Sequence, residues 1–506
     1  MIPDNYVAVL DFGSQYTQLI VRRVRELGFL AKLFPYDELE DLGKPGAIIL
    51  SGGPKSTSAD DAPDYCLDTL DAYNVPVLGV CYGMQSLNIK FGGTVEACDK
   101  REYGPAQLMT EGSCLYEGIT QGSQVWMSHS DTVQQIPEGA TVIARNSQGT
   151  PVSLQFNERY YGIQFHPEVT HSHEGTQILH NFLKLGQSLA PFIIEDFKNE
   201  MVNRIRAFVG DKQVVCGVSG GVDSTVLAVL LKEAGVNMRA VFVDQGLLRK
   251  NEAETVIANF KALNVPIEVV DAKDRFLSAL AGQDNPETKR KIIGNLFLDV
   301  FWDAVGDAEI LAQGTLYPDV IESASNAKSK ASVIKTHHNR VDRVLELQAQ
   351  GRVLEPLDEL FKDEVRELGT LLGIDQEILM RHPFPGPGLA VRCPGEVTEE
   401  RLETIREGDA IFIGKLKEYG WYDKVWQAYA CLIPVRTVGV KGDERCYEWA
   451  MGLRAVISED AMTADWVELP PQLLREASNE ILNNVPRVNR VLYDISTKPP
   501  ASIEWE

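Results

Sequence analysis

The sequence predicts an α/β protein: two doubly wound, largely parallel α/β domains followed by a small α+β domain. Three observations carry that expectation. Apolar runs of strand length alternate with helical patterns from Tyr6 to about Leu185. The alternation breaks across residues 186–191 and starts afresh at Val214. Beyond HPFPGPGL, residues 382–389, the pattern changes to one charged helix and several alternating stretches. The expected domains are therefore 1–187, 188–384 and 385–506.

Taken in order, YVAVLDFG reads as a strand, SQYTQLIVRRVRELG as a helix, AIILSGGP and VPVLGVC as strands, and YGMQSLNIKFGG as a helix. A polar helical stretch then leads into the second alternation. There VVCGV, MRAVFVDQG, VPIEVVDA and EILAQGT are strands and STVLAVLLKEAG is a helix, the rhythm of a nucleotide-binding sheet. Three alternating prolines in HPFPGPGL predict a stiff, extended connector. A charged helix over 398–419 follows, and LIPVRTVGVKG and VNRVLYDIS read as strands of the small domain.

Bulk properties narrow the function. A chain of 506 residues exceeds one ordinary core. Its eight cysteines are scattered without a CxxC pair, so a reducing, cytoplasmic compartment is the simplest reading. No basic segment precedes an apolar one at the start, and no apolar run is long enough to span a bilayer. The formal charge of −23 argues against a nonspecific nucleic-acid binder. A phosphorylated ligand would need local cations, backbone N–H groups or a metal ion to offset that field.

Gly79-Val80-Cys81-Tyr82-Gly83 lies where an apolar strand meets a helix. Small residues on both sides of a nucleophile permit a sharp turn, and the helix N-terminus favours a thiolate. Downstream, an apolar strand delivers His166, followed by Pro167 and Glu168, whose carboxylate can orient the imidazole. Upstream, the Ser-Gly-Gly-Pro loop at 51–54 offers N–H donors for an oxyanion. These residues resemble the class I glutamine amidotransferases over roughly 5–187. The resemblance implies that Cys81 attacks the glutamine carboxamide, His166 handles protons, Glu168 holds His166, and ammonia is released. It also implies an oxyanion site at the N–H groups of Gly53 and Tyr82, with Gln85, Ser128, His129 and Ser130 lining the glutamine pocket. His171 and His173 lack companion ligands nearby in sequence and read as surface residues.

In the second domain VVCGVSGGVDSTV outlines strand, tight loop and helix start. Its glycines expose N–H groups, its serines add donors, and Asp223 can help hold Mg²⁺. The lysine of the usual P-loop is missing. Ser219, Gly220, Gly221, Val222, Asp223 and Ser224 resemble the pyrophosphate loop of the ATP pyrophosphatases. In that family the loop grips the β- and γ-phosphates while the α-phosphorus is attacked, and Val243 and Asp244 stand where the adenosine end is received. ATP is then a co-substrate, and no tightly bound organic cofactor is expected.

An ammonia-releasing domain fused to an adenylylating one, with HPFPGPGL and the final KPPASIEWE, resembles the glutamine-hydrolysing GMP synthases over essentially the whole chain. That resemblance implies xanthosine 5′-monophosphate as acceptor. Arg490 and Lys498 would bind its phosphate, and Ile503 and Glu504 would lie near its base. It also implies a homodimer formed through the third domain. QGTLYPDVIES at 313–323 and KTHHN at 335–339 are further family segments. After KTHHN the chain reads RVDRVLELQAQGRVLEPL, departing from the shorter turn of many bacterial relatives. The competing readings are another pyrophosphate-loop enzyme that modifies tRNA or amidates a different carbonyl acceptor, and a nucleotide-sensing scaffold without activity. The scaffold predicts loss of Cys81, His166 or Asp223, and all three are present.

Overall fold

Strand β1 (Tyr6–Asp11) is buried from Tyr6 to Leu10 because parallel neighbours flank it and helices cover its faces. In the computed structural model, which describes residues 4–14, 16–59, 61–316, 341–458 and 463–506, it lies within the first of two units, Met1–Ile193. β2 (Ala31–Pro35), β3 (Pro45–Leu50), β4 (Val77–Val80) and β9 (Tyr160–Ile163) extend the parallel part. The other four strands are β5 (Thr94–Thr110), β6 (Ser123–Gln135), β7 (Thr141–Asn146) and β8 (Pro151–Gln155). They run antiparallel, giving the order β2-β1-β3-β4-β9-β8-β7-β5-β6. The sequence reading missed this extension. Its signature is in β6, where buried and partly exposed residues alternate from Val125 to Val133, as in a strand with one face on the core.

The second unit, Ile194–Glu506, opens with the helix Ile194–Val209. β10 (Val214–Gly217), β11 (Met238–Asp244), β12 (Ile267–Asp271), β13 (Ile310–Ala312) and β14 (Val353–Leu354) form a parallel sheet ordered β12-β11-β10-β13-β14. Strand order reverses at β10, so the loop after β10 opens at the switch point where such sheets bind nucleotides.

A second sheet pairs β15 (Gln427–Lys441) with β16 (Glu444–Ile457), and β17 (Asp465–Trp466) and β18 (Val488–Tyr493) with β16. The helix Glu399–Glu418 packs on it, started by Thr398, whose side chain accepts the Arg401 N–H. One apolar cluster runs from Val215, Val241 and Phe301 through Leu389 and Phe412 to Leu453 and Ile481, so the two sheets share a core.

The connector is not fully extended. Gly388–Arg392 coils into a 3₁₀ turn, and a Cβ on Gly388 would lie 2.3 Å from the Leu247 carbonyl oxygen. Its apolar residues found a core to enter. Residues 317–323 of QGTLYPDVIES, and KTHHN, lie outside the described residues.

Candidate active sites

β4 ends at Val80, and the helix Tyr82–Lys90 begins immediately after Cys81, whose backbone sits at φ 52°, ψ −103°. L-residues seldom adopt that conformation, and the strain is held by close packing. A Cβ on Gly79 would lie 2.5 Å from the Gly83 carbonyl carbon, and one on Gly83 2.4 Å from the Leu50 carbonyl oxygen. Both glycines are required for the elbow.

His166 follows β9, the parallel neighbour of β4, so sheet order brings it beside Cys81. Its Nδ1 is 2.7 Å from Glu168 Oε1, and the two residues are 2% and 0% exposed. Burial works to depress the imidazole. The Glu168 charge and the hydrogen bonds the ring makes to Cys81 and Glu168 outweigh it, holding His166 well above its ordinary pKa.

Gly53, Tyr82, Gln85, Ser128, His129 and Ser130 line one cavity of about 320 Å³ together with Cys81 and His166. Gln85 is oriented by the Asp131 carbonyl at 2.9 Å and by Gln164 at 3.2 Å. Burial lowers the pKa of His129 against the opposing Glu102 charge, and its Nδ1 lies 3.0 Å from the Asp131 carbonyl. The cavity also holds Tyr16 and Asp131, which sequence reasoning passed over. Tyr16 stands edge-on to His166, with ring centroids 5.0 Å apart. Asp131 directly follows the Ser-His-Ser stretch, and that adjacency was the available signal. His171 and His173 are exposed, the former against Trp126.

In the second unit, Ser219 and Ser224 tie the loop after β10 together, their hydroxyls 3.1 Å apart. Ser224 Oγ also accepts the Ser219 N–H at 3.2 Å, and the helix Val222–Glu233 points its N-terminus at the loop. Gly314, after β13, comes close to the Asp223 backbone. Asp223 is held by a residue absent from the sequence reading: Lys362 Nζ donates to both carboxylate oxygens at 2.6 Å. Val243 and Asp244 end β11, and Asp244 accepts the Gly246 N–H at 3.0 Å.

Arg490 is exposed on β18, and the Lys498 backbone pairs with Ala464. Ile503 packs with Val456, Ala464 and Trp426. The Glu504 carboxylate receives Arg392 Nε and Nη2 at 3.1 and 3.0 Å, and Gln427 Nε2 at 2.8 Å. The last residues are thus a docked segment whose hydrogen-bond partners lie deep in the unit.

Comparison with known proteins adds to this geometry. The family described as glutamine amidotransferase class-I matches residues 8–185, and the GMP synthase C terminal domain matches 414–505. The tRNA methyl transferase HUP domain matches 212–284, the span of the loop after β10. A GMP synthase (glutamine-hydrolyzing) of Thermosipho africanus is 51% identical, over 99% of this chain and 100% of that protein. The protein of the same name from Christiangramia forsetii is 50% identical over 99% and 100%. That from Nitrobacter hamburgensis is 47% identical over 99% and 96%.

Proposed function

The chain belongs to the glutamine-hydrolysing GMP synthases, and from that premise we propose which of its residues carry each half of the reaction. The enzyme is a ligase that aminates xanthosine 5′-monophosphate to GMP with nitrogen from glutamine. Cys81 Sγ attacks the glutamine carboxamide, and the oxyanion is met by N–H groups of Gly53 and Tyr82. Tyr82 opens its helix, so its N–H has no intrahelical acceptor. His166 protonates the leaving ammonia, and water then hydrolyses the thioester, releasing glutamate. The observation that carries this half is the strained Cys81 elbow in one cavity with a buried His166–Glu168 pair.

In the second half, Ser219–Ser224 hold the β- and γ-phosphates of ATP, and Val243 and Asp244 receive its adenosine end. The acceptor oxygen attacks the α-phosphorus, pyrophosphate leaves, and ammonia then displaces AMP from C2 of the base. Asp223 is the carboxylate that would hold Mg²⁺, and a bound triphosphate offers Lys362 another partner. Mg²⁺ supplies charge neutralisation on the polyphosphate. Arg490, Lys498, Ile503 and Glu504 form the acceptor site within a third domain over 385–506, which follows an ATP pyrophosphatase domain over 188–384 and an amidotransferase domain over 1–187.

The same region supports a homodimer. The β15–β16 hairpin tip exposes the cross-strand pair Val438 and Tyr447, with Val440 beside it, as apolar surface that a second copy would cover. Val438→Glu with Tyr447→Glu should halve the sedimenting mass, and an unchanged mass would refute the assignment. No helix among the described residues is long and apolar enough to cross a membrane, and we place the enzyme in the cytoplasm.

The deciding experiment separates the halves. Cys81→Ala should abolish GMP formation and sustained release of AMP and pyrophosphate with glutamine while retaining them with ammonium salts. Loss of both activities in a folded variant would show that Cys81 is not confined to the first half.

A further inference from the structure

We infer that Arg381 is a positioning residue of the loop after β10, holding the Gly220–Gly221 peptide so that its N–H faces the bound polyphosphate. The inference rests on the reading of that loop as a pyrophosphate cradle. Gly220 is buried at φ +75°, and a Cβ there would lie 2.2 Å from Val256 Cγ2 on the helix Glu252–Ala262. The back of the loop therefore has no slack.

The Gly220 carbonyl accepts a 2.9 Å hydrogen bond from Arg381 Nη1. In a trans peptide the carbonyl and the following N–H point opposite ways. Drawing the oxygen toward Arg381 turns the Gly221 N–H to the other side, and Gly221 is exposed where Gly220 is buried. There the N–H meets Ser219 Oγ at 3.3 Å, a long bond that a phosphate oxygen can replace.

Arg381 is itself aimed. Its Nη2 bonds Glu252 Oε1 at 2.5 Å, and Glu252 Oε2 accepts the Arg249 N–H at 3.0 Å. The next residue, His382, is buried, stacks on Tyr422 at 3.8 Å and has Nε2 2.8 Å from the Tyr422 carbonyl. The backbone carrying Arg381 is thereby pinned. Glu252 offsets the guanidinium charge, so the pair contributes orientation to the loop more than field. The planar fork suits that task because one side chain serves two acceptors in fixed directions.

Steady-state kinetics on the full-length enzyme, with ammonium as nitrogen source and pyrophosphate release as readout, test the role. Arg381→Ala should raise KM for ATP about tenfold or more, the loss of a charge-assisted hydrogen bond. KM for xanthosine monophosphate should stay near wild type, as should glutaminase activity. Arg381→Lys keeps the charge but lacks the planar fork that reaches the two acceptors in fixed directions, and should fall between. It also carries the test if the alanine variant fails to fold. Glu252→Gln retains an acceptor for the guanidinium and should restore a nearly normal KM for ATP.

An unchanged KM for ATP in the arginine variants, alongside a raised one in Ser219→Ala, would overturn the inference and leave the loop reading standing. Equal rises in both nucleotide KM values with a lowered melting temperature would reduce the pair to a structural one. If Ser219→Ala also leaves ATP kinetics unchanged, the loop reading falls and the inference with it.

Discussion

Glu168 is fully buried, and its Oε1 lies 2.7 Å from His166 Nδ1, so its effect on the thiol passes through the ring. Replacing it by glutamine leaves burial to act on the imidazole without the opposing charge, and the His166 pKa should fall. An NMR titration of the ring checks this, and an unmoved titration would sink it. The glutaminase rate should drop roughly a hundredfold or more. The stability sign follows from linkage. A histidine whose folded pKa is raised stabilises the fold below its unfolded value near 6.5, and that contribution is lost as pH rises through the raised value. The melting-temperature gap between wild type and Glu168→Gln should therefore be widest at acidic pH and close on the alkaline side. At this scale Cys81, His166 and Glu168 were legible because glycine flanks and a two-residue spacing are local. Tyr16 was not, because only the folded sheet brings the start of the first helix to the cavity, whereas Asp131 adjoins Ser130 and was within reach of the sequence.

The connector at 382–389 shows what an element can hide. Its prolines predicted stiffness, which is a backbone property, while the partners of His382 are side-chain and carbonyl groups some forty residues onward. His382 Nδ1 accepts the Ala428 N–H at 3.3 Å and Nε2 faces the Tyr422 carbonyl, so the ring is held neutral. Burial is the main cause of its low pKa, about 4, and the nearby Arg249 charge works in the same direction. The unfolded chain protonates near 6.5, so this contribution is present above that pH and is lost as pH falls toward 4. The loss is on the order of 3 kcal/mol. Urea unfolding followed by the second unit's tryptophans should show stability declining from pH 6.5 to 4.5. In His382→Gln the decline should be shallower, and parallel curves for the two proteins would refute the assignment. Strands β10, β11 and β13 were legible by contrast, since short apolar runs suffice to mark strands buried inside a parallel sheet.

Across the molecule, a chain of net charge −23 buries three cations against its final residues. Arg392 is fully buried and grips Glu504, while Lys289 pairs with Glu506 and also donates to the carbonyls of Ala390, Cys393 and Gly395. Arg454 bonds the carbonyls of Ser496, Ser502 and Ile503, and pairs with Asp494 at 2.9 Å. The composition of KPPASIEWE argued that these residues are more than a frayed end. It could not reveal their partners, because a buried arginine or lysine looks like a surface one in sequence. Removing residues 504–506 would leave buried Arg392 with only the more distant Asp409, at 3.9 Å, and buried Lys289 with carbonyl partners alone, at a cost of about 3–5 kcal/mol for each broken pair. That sum is comparable to the whole stability of an ordinary domain, roughly 5–15 kcal/mol. The truncation should therefore lower the melting of the second unit outright, beyond weakening acceptor binding. The first unit, with its own apolar cluster around Leu10, Leu50 and Tyr160, should keep its transition and its glutaminase chemistry. Glu504→Gln, which keeps the hydrogen-bond acceptor but not the charge, should give a smaller shift of the same sign. Calorimetry on the full-length protein checks both variants, and a truncated chain whose second transition stays at the wild-type temperature would show that the buried cations do not need the tail.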